Sequence, residues 1–222
     1  MTVLVLVGAG GHGKVAADAA ALSGWREIVF VDDGWPARER NGAWRVIGTS
    51  AAIPEYRARG AAVFVSIGAN ATRAAVAGAL GADDLPVLRH PGAILSEHGT
   101  LGAGTLACAG VVVNADSRIG RGVILNTGCS VDHDCTVGDF AHVSPGARLA
   151  GGVAVGARAW IGIGAAVREG IRIGAGARIG AGAAVVSDIP AGALAMGVPA
   201  RVVPERDRAD DARRKRREGD AP

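Results

Sequence analysis

The stretch NTGCSVDHDCTVGDFAHVSPGA, from Asn126 to Ala147, holds two of the chain's five histidines, His133 and His142, nine residues apart. Asp132 and Asp134 flank the first of them. An imidazole changes charge near neutral pH, so it suits removal of a proton from an attacking amine or hydroxyl. A carboxylate beside it fixes the ring's tautomer and favours the imidazolium as it forms. Imidazoles also bind metals, but a zinc hydratase site takes three of them, and beyond His98 the chain has only these two. A second chemical signal lies near the N-terminus. Gly8, Gly10 and Gly13 satisfy G-x-G-x-x-G within GAGGHG, and Asp32 and Asp33 end the next apolar run. Such a turn offers backbone N–H groups at a helix N-terminus to a phosphate. The two aspartates can accept hydrogen bonds from a base or a sugar.

A repeat must position the imidazoles. Every sixth residue from Leu95 to Val185 is Val, Ile or Leu in fifteen of sixteen cases, the exception being Ala107. Four residues after many of these stands a small side chain, as at Cys129, Cys135, Ala141, Ala147, Ala159, Ala165, Ala177 and Ala183. Neither helical nor simple strand alternation has this period. Short strands that each point one aliphatic inward do, with three hexapeptides closing a triangular coil and successive coils stacking their aliphatics. The expectation is a left-handed parallel β-helix over 91–190, in roughly five coils. Cys129 and Cys135 fall at the small inward position and read as core filler. His142 precedes inward-facing Val143, so it turns outward.

Residues 1–90 follow another rhythm. Val3–Val7, Glu27–Asp33 and Ala61–Asn70 read as strands, with helices after the glycine turn and after Asn70, which implies a small parallel sheet. A full dinucleotide needs two such halves. One half suits a single nucleotide, such as that of a nucleotide-sugar, and disfavours a dehydrogenase. His12, inside the turn, is placed to reach this ligand. A segment at 191–204 and a polar tail at 205–222 complete the chain. The tail carries seven Arg or Lys and six Asp or Glu without aromatics, so no nucleic-acid platform is expected. Apolar residues at 49% and charged residues at 20% exclude disorder. No apolar run approaches the roughly 18 residues of a membrane span, and no basic n-region opens the chain. Three cysteines without a CxxC pair point to a reducing compartment. We therefore expect a cytoplasmic protein that does not insert in a membrane.

Several motifs together resemble the bacterial sugar O- and N-acyltransferases of the NeuD and PglD type. They are GAGGHGKV at 8–15, VDD at 31–33, IGAN at 67–70, HPGAIL at 90–95, the block at 124–156, and GVPAR at 197–201. The resemblance implies a half-Rossmann domain joined to a left-handed β-helix, assembled as a homotrimer with coenzyme A between neighbours. It makes His133 the general base and Asp134 the acid that orients it, with Asp132 a competing partner. It places His142, Gly151, Ile163, Ala181 and Arg201 at acetyl-CoA, with the Gly151 N–H at the developing oxyanion. The acceptor falls to Gly10, Gly11, His12, Asp32, Asp33 and Asn70. Acetyl-CoA is then a co-substrate, with no permanently bound cofactor and no metal. The implied reaction is N-acetylation of a nucleotide-linked amino sugar. Alternatives are O-acetylation of a sialic acid or other hydroxyl, a metal-dependent hydratase resembling the γ-class carbonic anhydrases, and a non-catalytic nucleotide-binding scaffold.

Overall fold

The computed structural model describes residues 3–204, and the tail expected at 205–222 lies outside them. Strands β1 (Val3–Val7), β2 (Glu27–Val31), β3 (Arg40–Asn41), β4 (Trp44–Val46) and β5 (Ala62–Val65) form one sheet in the order β3-β4-β2-β1-β5. All neighbours run parallel except the β3–β4 hairpin. The segment 33–45 therefore contributes two strands that periodicity did not signal. Helix α1 (Gly11–Leu22) lays Gly13, Ala16, Ala17, Ala19 and Ala20 on the sheet. Small side chains permit that close approach. A Cβ on Gly13 would come within 2.5 Å of the Gly8 carbonyl oxygen, so this glycine is required for packing. Helices α2 (Ile53–Ala58) and α3 (Asn70–Ala79) complete the part.

The rest is a left-handed parallel β-helix of two-residue strands, beginning at Leu88–Arg89 and running to Ala184–Val185. Residues eighteen apart pair in register on each of three sheets, as Val113 with Val131 and Val131 with Leu149. The sixth-position aliphatics from Val113 onward are buried, as are Cys108, Cys129 and Cys135. Burial pushes the Cys108 and Cys129 thiols up to about 12, which suits core filler.

Each coil corner needs one residue in the left-handed region. From Gly104 to Gly182 these recur every six residues, and four of the positions are not glycine: Asp116, Asp134, Phe140 and Arg158. Three of the four have a visible task. Phe140 packs against a small cluster of Val65, Ala77 and Leu85, which belongs mainly to the N-terminal part. The carbonyl of Arg158 accepts a hydrogen bond from the Asn70 amide. Asp134 meets His133.

The two parts share one hydrophobic core that runs from Leu4, Leu6 and α1 into the coil at Leu88 and Leu106. Arg73, only 1% exposed, bolts the junction. Its guanidinium donates to the carbonyls of Ile67 and Gly68 on one side and of Gly122 and Phe140 on the other, and to Asn70 Oδ1. All of its N–H directions are thereby engaged.

Candidate active site

His133 occupies the corner between strands Ser130–Val131 and Thr136–Val137. Its Nδ1 lies 2.7 Å from Asp134 Oδ2, while Asp132 Oδ1 accepts the His133 backbone N–H at 2.8 Å. Asn114, on the adjacent coil, donates to the same Asp132 oxygen. Buried Ser117 braces the corner by donating to the Asp132 carbonyl and accepting from the Cys135 N–H. An ionised carboxylate only accepts, so Nδ1 carries the proton and Nε2 presents a lone pair. The Asp134 hydrogen bond, and next the charge of Asp132, raise the His133 pKa above its ordinary value. The ring lies over Gly151, where a Cβ would come within 2.6 Å of Nε2. Only glycine leaves the imidazole that position. The Gly151 N–H is the adjacent backbone donor, and it bonds no other described residue.

His142 points away from the coil axis, as alternation requires, yet it is only 5% exposed because the N-terminal part covers it. Its ring lies 4.1 Å, centroid to centroid, from that of Trp160 and 6.2 Å from that of His12. Asn126 Nδ2 contacts its Nε2 at 3.1 Å, and Nδ1 is buried without a partner. Burial, and then the neighbouring charges, hold His142 down at about 3 and His12 at about 4. Both rings are neutral at physiological pH.

The expected acceptor residues mostly converge. Gly10, Gly11, His12, Asp32 and Asp33 line one cleft of about 540 Å³ with Arg38, Ser50, Ser66 and Thr72. Nothing lies within 4 Å of where a Cβ on Gly10 or Gly11 would sit, so both open onto free space. Asp32 Oδ2 accepts the Ala9 N–H, and its Oδ1 accepts from the Gly34 N–H and Arg38. Asp33 Oδ1 accepts the Ser50 hydroxyl, and its Oδ2 has no partner among the described residues. Asn70 lies elsewhere. Its amide donates to the Arg158 and Ala159 carbonyls, so it fastens the two parts and does not line the cleft. Arg38 and Ser50 escaped the sequence reading because they come from the irregular run after Asp33.

Ile163, at 61% exposure, stands bare on the coil, as do Ala181 and Arg201. Arg201 lies in the strand Ala200–Val202, and among the described residues its guanidinium donates to the Ala200 carbonyl alone. His133 and His142 do not meet within one chain. His133 sits at the corner opposite the sheet that carries His142 and its neighbour Trp160. Among the described residues of one chain, no group of three His, Cys, Asp or Glu side chains is placed to hold a metal ion.

Residues 3–80 match the family model of the PglD N-terminal domain. A curated UDP-N-acetylbacillosamine N-acetyltransferase of Bacillus subtilis is 39% identical over 114 residues, which are 49% of this chain and 52% of that protein. The match thus spans about half the length of the curated relative. Among solved structures, the acetyltransferase domain of PglB from Neisseria gonorrhoeae, in complex with acetyl coenzyme A, is 41% identical with a TM-score of 0.84, over 90% of this chain and 98% of that one. PerB from Caulobacter crescentus, in complex with CoA and GDP-perosamine, is 39% identical with a TM-score of 0.86, over 92% and 98%. That enzyme has also been solved with a histidine replaced by asparagine or alanine. With nearly the full length of both solved relatives covered at this identity, the chain belongs to the PglD-type sugar acyltransferases.

Proposed function

We propose that the protein transfers the acetyl group of acetyl-CoA to the amine of a nucleotide-linked amino sugar, directly and without an acyl-enzyme. The observation that carries this reading is the His133–Asp134 pair, with its raised pKa and an Nε2 lone pair lying over Gly151. As the sugar nitrogen attacks the thioester carbonyl, His133 Nε2 takes its proton. A C–N bond forms, the C–S bond breaks, and the imidazolium returns the proton to the departing thiolate. The Gly151 N–H meets the oxyanion on the way. His133 and Asp134 act as base and orienting acid. Ile163, Ala181 and Arg201 border the coenzyme groove, with Arg201 at a phosphate. In the cleft, Gly10 and Gly11 leave room for the diphosphate at the α1 N-terminus, His12 reaches the sugar, and Asp33 reads the base beside Asp32. Asn70 serves by holding that cleft against the coil.

Topology also favours self-association. His133 occupies the corner opposite the His142 sheet, so one substrate can use both only if a second copy brings its own corner to that sheet. A closed three-fold ring satisfies this for every chain. Light scattering on the purified protein tests it, and a monomer that turns over would oppose it. No helix among the described residues is long and apolar enough to cross a membrane, and we place the protein in the cytoplasm. The activity is tested by incubating acetyl-CoA with UDP-, GDP- and CMP-sugars, each with and without a free amine, and following CoA thiol release. Release only with amino sugars supports the reading. Release with sialic acid or another hydroxyl sugar in their place would turn it to O-acetylation.

A further inference from the structure

The sheet domain has a second cavity that the function above does not use. It opens where α1 ends and β2 begins, and the β3–β4 hairpin supplies the rest of its lining. It measures about 350 Å³ and shares no lining residue with the cleft at Gly10 and Asp32. That cleft lies at the other end of β2, whose five residues separate the two by roughly 17 Å.

Two of the chain's four tryptophans, Trp25 and Trp44, line this cavity, each half-buried against the core. Beside them stand Arg26, Arg40 and Arg45, with Glu27 the one carboxylate, so the lining carries a net charge of +2. Among the described residues none of these four charged groups forms an ion pair. Arg40 and Arg45 are paired directly across the hairpin. Opposed side chains on one face stand about 5 Å apart, and like charges there repel. An anion placed between the two guanidinium groups removes that repulsion. A phosphate, with three free oxygens and up to two charges, can serve both forks at once. The indoles offer what an inorganic ion would not use. Their flat faces suit a ring, and every nucleobase has a π-face to stack. The volume stands at the low end of the roughly 300–1,000 Å³ of small-molecule sites. It suits one base with its ribose and phosphate, not a nucleic-acid strand.

We infer that this cavity binds a nucleoside phosphate as an effector, with the base against Trp25 and Trp44 and the phosphate on Arg40 and Arg45. The hairpin that lines it also reaches the acceptor cleft. Asn41, opposite Trp44 in the hairpin and 5% exposed, donates to the Gly10 carbonyl at 3.1 Å. Arg38, two residues before Arg40, pairs with Asp32. A ligand that draws the two arginines together therefore shifts the groups that shape the Gly10 turn, and the coupling acts equally in both directions.

The test is a calorimetric titration of the full-length chain with AMP, GMP, CMP and UMP. Saturating acetyl-CoA occupies the coil, and Gly10→Val closes the cleft. We expect one equivalent of nucleotide per chain. Arg40→Gln combined with Arg45→Gln should weaken it by roughly tenfold or more. Both side chains are exposed and their repulsion is removed, so Tm should not fall. Unchanged affinity in this double variant overturns the site. The uncharged nucleosides and inorganic phosphate should each bind more weakly than the nucleotide by about tenfold. Either one matching the nucleotide overturns the assignment of the ligand. With Gly10 intact, the nucleotide should change KM for the amino sugar up to a plateau, and the double variant should lose that response. An unchanged KM, or one that rises without limit as competition in the cleft would make it, overturns the effector role. Only this kinetic readout rests on the acetyltransferase reading. Should no amino sugar accept acetyl, that reading fails, while the titration alone still decides the cavity.

Discussion

Asp134 sits in the left-handed region at φ +59°, at a corner where most coils have glycine. Aspartate tolerates this conformation better than most residues but not freely. Replacing it by glycine should raise stability by about 1 kcal/mol, or roughly 2–4 °C in Tm, while lowering kcat. A lower Tm would mean that the Asp134 side chain supports the fold more than it serves His133. His133→Ala removes the proposed base. It should lower kcat by roughly 10²–10⁴ with the acetyl-CoA dissociation constant nearly unchanged. The pH profile separates the partners. Asp134 first, and Asp132 second, raise the His133 pKa, and the base works only when unprotonated, so the acid limb of kcat/KM lies above the ordinary imidazole range. Asp134→Asn lowers that pKa and should move the limb to lower pH. If Asp132→Asn moves it further, the orienting carboxylate has been misassigned.

At the scale of elements, the α1 turn and α3 meet the coil through a buried seam of the neutral His12 and His142 rings and the Arg73 guanidinium. Both histidines titrate near 6.5 when unfolded, but only at about 4 and about 3 in the fold. Below about pH 6.5 the unfolded chain therefore binds more protons, and stability falls as pH drops toward the folded values. At pH 5 each ring should cost about 2 kcal/mol relative to neutral pH. Denaturant unfolding at pH 7 and pH 5 should show this loss, and His12→Asn should halve it; identical losses would place the sensitive groups elsewhere. Little of this seam was legible in the sequence. Hexapeptide periodicity exposed the coil, because stacked aliphatics must repeat with the coil. The acid–histidine pair was legible because both partners are adjacent in sequence. Arg73 carried no signal, since its acceptors are carbonyls up to 68 residues away. The β3–β4 hairpin stayed hidden because strands of two and three residues are too short for a period to register. Asn70 was read as a ligand contact, whereas its amide ties α3 to the coil.

Across the whole molecule, the proposed function divides the labour between a nucleotide cleft in the sheet and a coenzyme groove on the coil. In that proposal the helix N-terminus at the cleft takes the diphosphate and the two aspartates take the base and sugar. The coil offers exposed aliphatics such as Ile163 for a pantetheine arm. Gly10 discriminates between the two without disturbing the fold, because a Cβ there meets no protein atom within 4 Å and φ is −86°. A valine side chain would instead project into the space that the diphosphate needs. Gly10→Val should therefore keep its Tm, raise KM for the amino sugar well over tenfold, and leave acetyl-CoA binding within about twofold. Gly13→Val makes a useful contrast. Its Cβ would strike the Gly8 carbonyl oxygen and Phe30, so it should lower Tm and impair both ligands together. Calorimetry on Gly10→Val with acetyl-CoA and with the amino sugar decides the assignment. Loss of acetyl-CoA affinity with the sugar's preserved would place the donor, not the acceptor, in the sheet domain.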